Sequence, residues 1–209
     1  MNQEVVVPSA VSLMMKMDKI VSIQTFWSTP IWGSKLIEVM DRHDEIKSYI
    51  KSLMSIYESR LKSNRGGWQS PLIDPTSKPM DILSNELIDI CKGLQLGITE
   101  CVIPQMWANV NTKGTWNSIH QHGGSYELSA IYYVQVPENS GKLVFRDPRP
   151  GAVGNGLLSK NFDSGDYMSP DLYEGLLLIF PSYLDHFVEP SLSDEERISV
   201  SFDISTNWI

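Results

Sequence analysis

Residues 117–136 read NSIHQHGGSYELSAIYYVQV, and this stretch decides the fold. From Leu128 to Val136 the residues alternate as in a strand, with Ser129, Ile131, Tyr133 and Gln135 on one face. His120 and His122, two of only four histidines, form an H-x-H pair whose imidazoles share a face where the backbone is extended. His186 lies far downstream in another strand-like segment. Two neighbouring histidines and one distant one are what an all-β cage needs to gather a metal site from separate strands.

The flanking sequence has the same texture. In 101–111, CVIPQMWANVN, one face carries Ile103, Gln105, Trp107, Asn109 and Asn111, and the other carries Val102, Met106, Ala108 and Val110. Lys113 and Gly114 make a turn, and Asn139, Ser140 and Gly141 turn the chain into Lys142–Phe145. Segments at Gly175–Phe180, His186–Val188 and Arg197–Ile204 bring the count to about eight short strands. The stretch 147–170 is rich in Pro, Gly, Asp and Ser, and a loop of that length in a compact domain reads as a functional lid.

Upstream, 20–27 (IVSIQTFW) reads as a strand ended by Ser28, Thr29 and Pro30. Asp41 reads as the N-cap of a helix running to about Lys62, with Ile46, Tyr49, Ile50, Leu53, Ile56, Tyr57 and Leu61 as its apolar stripe. His43, in its first turn, reads as a surface histidine. The stretch 63–71, SNRGGWQSP, either approaches a site or simply turns. A second helix starts near Asp81, with Leu83, Leu87, Ile90, Cys91 and Leu94 inward and Gly93 or Gly97 near its end. Helices followed by strands predict a mainly β protein with N-terminal helices, a double-stranded β-helix (jelly roll, cupin-like). The expectation is one domain over 1–209, the strand and two helices of 1–100 packing on the core formed by 101–209.

Composition narrows the partners. The net charge of −8 has no long run of either sign, which argues against nucleic acid and anionic membranes. The two cysteines, Cys91 and Cys101, cannot build a disulfide framework and read as reduced and buried. The N-terminus is a poor signal peptide and no apolar run is long enough to span a bilayer, so a soluble, cytoplasmic protein is expected.

The chemistry is constrained by exclusion. A zinc-hydrolase H-x-H-x-D-H signature fails because Gly124 stands at the aspartate position. A structural zinc site would use cysteines, and these are misplaced. The informative element is 197–203, RISVSFD: Arg197 and Ser199 share one face, and Ile198, Val200 and Phe202 the other. A core-facing arginine is costly unless it meets an anion, and no acidic residue is evidently placed to be its partner. A ligand carboxylate, held by the guanidinium fork and a serine hydroxyl, would serve.

Together, WANVNTKGTWNSIHQHGGSYELSAIYYVQVPENSGKLVFRDPR, GLLLIFPSYLDHFVEP and RISVSFDI resemble the Fe(II)- and 2-oxoglutarate-dependent oxygenases. The likeness is to a group from bacteria and phages related to prolyl 4-hydroxylases, and it covers roughly residues 100 to 205. It implies that His120 and His186 are the two histidines of an iron triad, and that Arg197, helped by Ser199, binds the distal carboxylate of 2-oxoglutarate. It also implies cosubstrate contacts at Ser129 and Tyr133, with Asn109 and Asn117 as further candidates. His122 stands where the family has a carboxylate ligand. It is the third metal ligand, or a support for a distant acid such as Glu127 or Asp185, or a purely structural histidine. Trp68, Trp107 and Trp116 read as packing.

The resemblance thus implies a dioxygenase using Fe(II), 2-oxoglutarate and molecular oxygen to hydroxylate a small-molecule or peptide substrate, forming succinate and carbon dioxide. A homodimer is compatible with an exposed sheet edge. A cupin-like three-histidine oxygenase that needs no 2-oxoglutarate, and a non-catalytic jelly-roll binding module, are the alternatives.

Overall fold

The computed structural model describes residues 28–149 and 167–208. Short β1 (Trp32–Lys35) and helices α1 (Ile37–Met40) and α2 (His43–Ile56) come first. Then follow β2 (Asn64–Arg65), β3 (Trp68–Gln69) and α3 (Met80–Gly93). The remaining elements are strands: β4 (Ile98–Asn111), β5 (Trp116–His120), β6 (Leu128–Gln135), β7 (Leu143–Arg146), β8 (Tyr167–Met168), β9 (Leu176–Pro181), β10 (His186–Val188) and β11 (Arg197–Trp208). Among the described residues they form two antiparallel sheets, ordered β1-β9-β6-β11-β4-β3 and β2-β5-β10-β7-β8. This is the jelly-roll arrangement that the sequence predicts.

Alternation along the central strands splits the core in two. On β6 and β9, Ala130, Tyr132, Val134, Leu177 and Ile179 face the helices, where Ile46 and Ile50 of α2 and Leu83, Leu87 and Cys91 of α3 meet them. Ile131, Tyr133, Leu176, Leu178 and Phe180 point the other way, onto Leu143 and Phe145 of the second sheet. Both faces of the larger sheet are therefore covered, which is why 176–180 (LLLIF) reads as an unbroken apolar run.

Three expectations change. A short helix, α1, precedes the expected one, and α2 ends at Ile56 rather than near Lys62; Tyr57 is already extended, and Ile56 and Leu61 are exposed. The chain leaves the helix because the carbonyl of Tyr57 accepts the Trp68 indole N–H at 3.0 Å, drawing this segment toward β3. His43 is buried instead of superficial. Packing of α2 on β6 brings its Nε2 to 2.7 Å from the Tyr132 hydroxyl, and burial lowers its pKa. Part of the long loop is strand, since Tyr167–Met168 pairs with β7. The strand expected at 20–27 and the lid residues 150–166 lie outside the described residues.

The turn between β6 and β7 serves the site directly. Gly141 has φ +82°, and a Cβ there would collide with the Glu189 carbonyl oxygen, while its own carbonyl accepts a hydrogen bond from the Arg197 guanidinium at 2.9 Å. Gly141→Ala is therefore expected to lower stability by at least about 2 kcal/mol in urea titration, against a few tenths for the open site Gly93.

Candidate metal and cosubstrate site

Strands β5 and β10 pair so that His120 and His186 lie directly opposite one another. His122 follows two residues later, its backbone N–H fixed by the Ser182 carbonyl at 2.9 Å. One ligand nitrogen from each of His120, His122 and His186 falls within 4.8 Å of the other two. Among the described residues this is the only such cluster of three or more metal-binding side chains.

The hydrogen bonds say which nitrogens are free. His120 Nδ1 donates to the Ser118 carbonyl at 2.8 Å, and His186 Nδ1 donates to the Leu184 carbonyl at 2.9 Å. A carbonyl only accepts, so both rings carry their proton on Nδ1 and keep a lone pair on Nε2. His122 Nδ1 lies 2.6 Å from the Asp203 carboxylate, which again leaves Nε2 for a ligand. Burial lowers the pKa of His120, and pushes that of His186 down to about 3 with His120 adding to the effect. These two rings are neutral at pH 7 and need lose no proton to bind a metal.

Asp203 was not singled out from the sequence. Its signal was present, because the alternation that aligns Arg197 with Ser199 continues through Ser201 to Asp203. Glu127 and Asp185 stand away from the imidazoles: Glu127 accepts the Thr206 backbone N–H, and Asp185 is half exposed with Arg146 3.8 Å away. Asp203 is 5% exposed and, among the described residues, meets no lysine or arginine. A buried carboxylate with only N–H and O–H partners is expensive unless a cation sits close by. A metal behind His122 would be that cation.

Arg197 presents the mirror image. It is 2% exposed, and its Nη1 and Nη2 donate to the Gly141 carbonyl and, at 2.8 Å, to Asn111 Oδ1. Both partners are neutral, and Nε has none. Burial lowers its pKa, yet a guanidinium cannot shed its proton, so the site calls for an anion. Register puts Arg197 beside Asn111, Ser199 beside Asn109 and Asp203 beside Gln105. Asn111 was missed as the arginine's partner because strand register is not visible in a single strand's pattern.

These groups line one cavity of about 760 Å³, in the range of small-molecule sites. His120, His122, His186, Arg197, Ser199, Tyr133, Asn109 and Asn117 all reach it. Burial pushes the Tyr133 phenol up to about 12, the Arg197 charge pulling the other way. Asn109 donates to Ser201, and Asn117 accepts from Asn111 and donates to Ser63. Ser129 does not line the cavity: it sits behind Asp203, bonded to Ser182 at 3.0 Å. Trp107 lies against His122 with ring centroids 5.4 Å apart, whereas Trp68 packs in the core and Trp116 is half exposed beneath Arg65.

Comparison with known proteins agrees with the sequence resemblance. Residues 105–203 match the family described as "Putative 2OG-Fe(II) oxygenase". The matched segment runs from Gln105 to Asp203, which pair with one another across β4 and β11. No curated protein sequence matches. Among solved structures, a Pseudomonas putida prolyl-4-hydroxylase is similar with TM-score 0.61 and 16% identity, over 86% of this chain and 94% of that one. A viral collagen prolyl hydroxylase from Paramecium bursaria Chlorella virus-1, in complex with 2-oxoglutarate, gives TM-score 0.56 and 12% identity over 83% and 94%. HygX from Streptomyces hygroscopicus, with nickel, 2-oxoglutarate and hygromycin B bound, gives 0.59 and 11% over 85% and 83%. Identities this low show a shared fold. No helix among the described residues is long and apolar enough to cross a membrane.

Two outcomes follow for the metal-free protein. His186 is buried neutral, so between its ordinary value of 6.5 and its folded value near 3 the unfolded chain binds the extra proton. Stability should therefore fall as pH drops from 6.5 toward 4, and a melting series on His186→Gln should show a flatter slope over that window. Asp203→Asn, which keeps the size and removes the charge, should weaken Fe(II) binding about 10- to 100-fold in anaerobic titration while leaving the circular dichroism spectrum unchanged.

Proposed function

We propose that this protein is an Fe(II)- and 2-oxoglutarate-dependent hydroxylase in which His120, His122 and His186 hold the metal and Arg197 anchors the cosubstrate. The observation that carries the reading is the pair of buried charged groups on β11, Arg197 with no acidic partner and Asp203 with His122 alone, in one cavity with the three imidazoles. A metal dication and a 2-oxoglutarate dianion match both. With those two ligands bound, the charges of the metal, Arg197, the cosubstrate and Asp203 cancel, so a neutral assembly is enclosed instead of a charged one.

Each residue then has a task. The Gly141 carbonyl and Asn111 hold two guanidinium nitrogens, leaving Nε and the outer edge of the fork for the distal carboxylate, with the Ser199 hydroxyl beside it. Tyr133, Asn109 and Asn117 supply further polar groups along the same wall. Hydrogen bonds to Ser118, Leu184 and Asp203 fix the three rings before any ligand arrives, so binding costs little reorganisation. Leu143, Ile131 and Val188 keep the floor of the cavity apolar and limit water. Iron and 2-oxoglutarate supply the oxidising chemistry, in which 2-oxoglutarate and molecular oxygen give succinate and carbon dioxide while a substrate C–H bond is hydroxylated.

The decisive experiment is anaerobic addition of Fe(II) and then 2-oxoglutarate, monitored by the visible charge-transfer band of chelated 2-oxoglutarate. The band should form, and His120→Ala should abolish it. Iron binding without the band would favour an oxygenase that acts without 2-oxoglutarate, and no iron binding would favour a binding module. Arg197→Ala should raise the 2-oxoglutarate concentration needed for half the band by about two orders of magnitude and change iron affinity less than tenfold. Equal losses in both would assign Arg197 to the fold instead.

A further inference from the structure

The segment from Ser59 to Ser70 crosses between the sheets at the cavity mouth. Asn64 and Arg65 pair with β5 in one sheet, and Trp68 and Gln69 pair with β4 in the other. Buried Asn64 builds the crossing: Nδ2 donates to the Gly67 carbonyl at 2.8 Å and to Ser59 Oγ at 3.1 Å, and Oδ1 accepts the Lys62 N–H at 2.8 Å. Gly66 has φ +78°, and a Cβ on Gly67 would come within 3.0 Å of Asn111 Nδ2, so the path is set by close approach. The Ser63 carbonyl accepts from Ser118, whose own carbonyl orients His120. This turn is rigid and tied to the strand that carries the histidine.

Two exposed cations of this segment, Arg60 and Lys62, are among the residues lining the cavity, together with Gln69, Gln105 and Tyr126. Neither makes an ion pair with a described residue. Asp203 is the single carboxylate among the lining residues, and His122 occupies it. The mouth is therefore basic on a chain whose net charge is −8. Both cations are solvent-exposed, and in the proposed loaded site, where the metal, 2-oxoglutarate, Arg197 and Asp203 would cancel, they are the positive charges left at the mouth for a second ligand.

We infer that the cavity mouth recognises a small substrate through an anionic group, a carboxylate or phosphate, held by Arg60 and Lys62, with Gln69, Gln105 and Tyr126 hydrogen-bonding its polar body. This rests on the oxygenase reading, since it assigns the mouth to the second ligand. The fork of Arg60 suits either anion. A volume of about 760 Å³ accommodates the cosubstrate and one further small molecule.

The test uses full-length protein loaded with Mn(II) and saturating 2-oxoglutarate. Inorganic phosphate in one arm and acetate in the other are titrated while paramagnetic relaxation of their phosphorus or carbon nuclei is read. Saturable relaxation is expected in at least one arm, and the stronger arm identifies the anion. The double variant Arg60→Gln/Lys62→Gln should weaken that binding roughly tenfold. Arg60→Lys/Lys62→Arg, which keeps both charges, should retain most of it, and Lys92→Gln on α3, remote from the cavity, should not change it. Equal relaxation in wild type and double variant, or saturable relaxation in neither arm, overturns the inference while metal and 2-oxoglutarate binding stand. Loss of metal or 2-oxoglutarate binding in wild type would overturn the oxygenase reading and this inference with it.

Discussion

Two opposite charges on one face of one strand organise this molecule. Arg197 and Asp203 project from β11 into the same cavity, both nearly inaccessible to water; among the described residues Arg197 meets no carboxylate and Asp203 meets no lysine or arginine, only His122 at 2.6 Å. Isolated buried charges cost several kcal/mol each. A strand that carries two of them is tolerable where ligands complete the pairing, and the fold is arranged to hold both in place. β11 lies at the centre of the larger sheet, flanked by β4 and β6 along its length, so the spacing of the two charged groups is set by backbone pairing.

The three histidines fit this electrostatic frame. A triad with one carboxylate ligand carries its negative charge on an atom bonded to the metal. In the proposed site the anion would stand one residue further back: Asp203 lies against His122 Nδ1, and Ser129 and Ser182 stand behind the carboxylate. A metal held by the three imidazoles would thus still have a carboxylate close by, one residue removed from its ligands. Fold likeness to prolyl hydroxylases and to HygX says nothing about which substrate enters, because one scaffold serves many reactions.

Much of the arrangement was legible in the sequence because β-structure has period two. The cavity-facing residues of β4 and β11, and Ile131 and Tyr133 of β6, follow from alternation. Features that depend on register or on packing between elements were not legible. Asn111 is the partner of Arg197 only because β4 and β11 align in one register, and His43 is buried only because α2 lies across β6. Alternation also misplaced Ser129, which shares a face with Tyr133 but lies where the strand passes behind Asp203. The end of α2 was hidden because Ile56, Tyr57 and Leu61 continue the helical stripe, while the bond from Trp68 to the Tyr57 carbonyl wins.

The most direct test of this account is X-ray absorption at the iron edge of the Fe(II)-loaded protein, compared between wild type, His122→Ala and Asp203→Asn. Three imidazoles in wild type, two in His122→Ala and three in Asp203→Asn would place Asp203 behind a three-histidine centre. A carboxylate oxygen in the wild-type shell that disappears in Asp203→Asn, or an unchanged shell in His122→Ala, would contradict it.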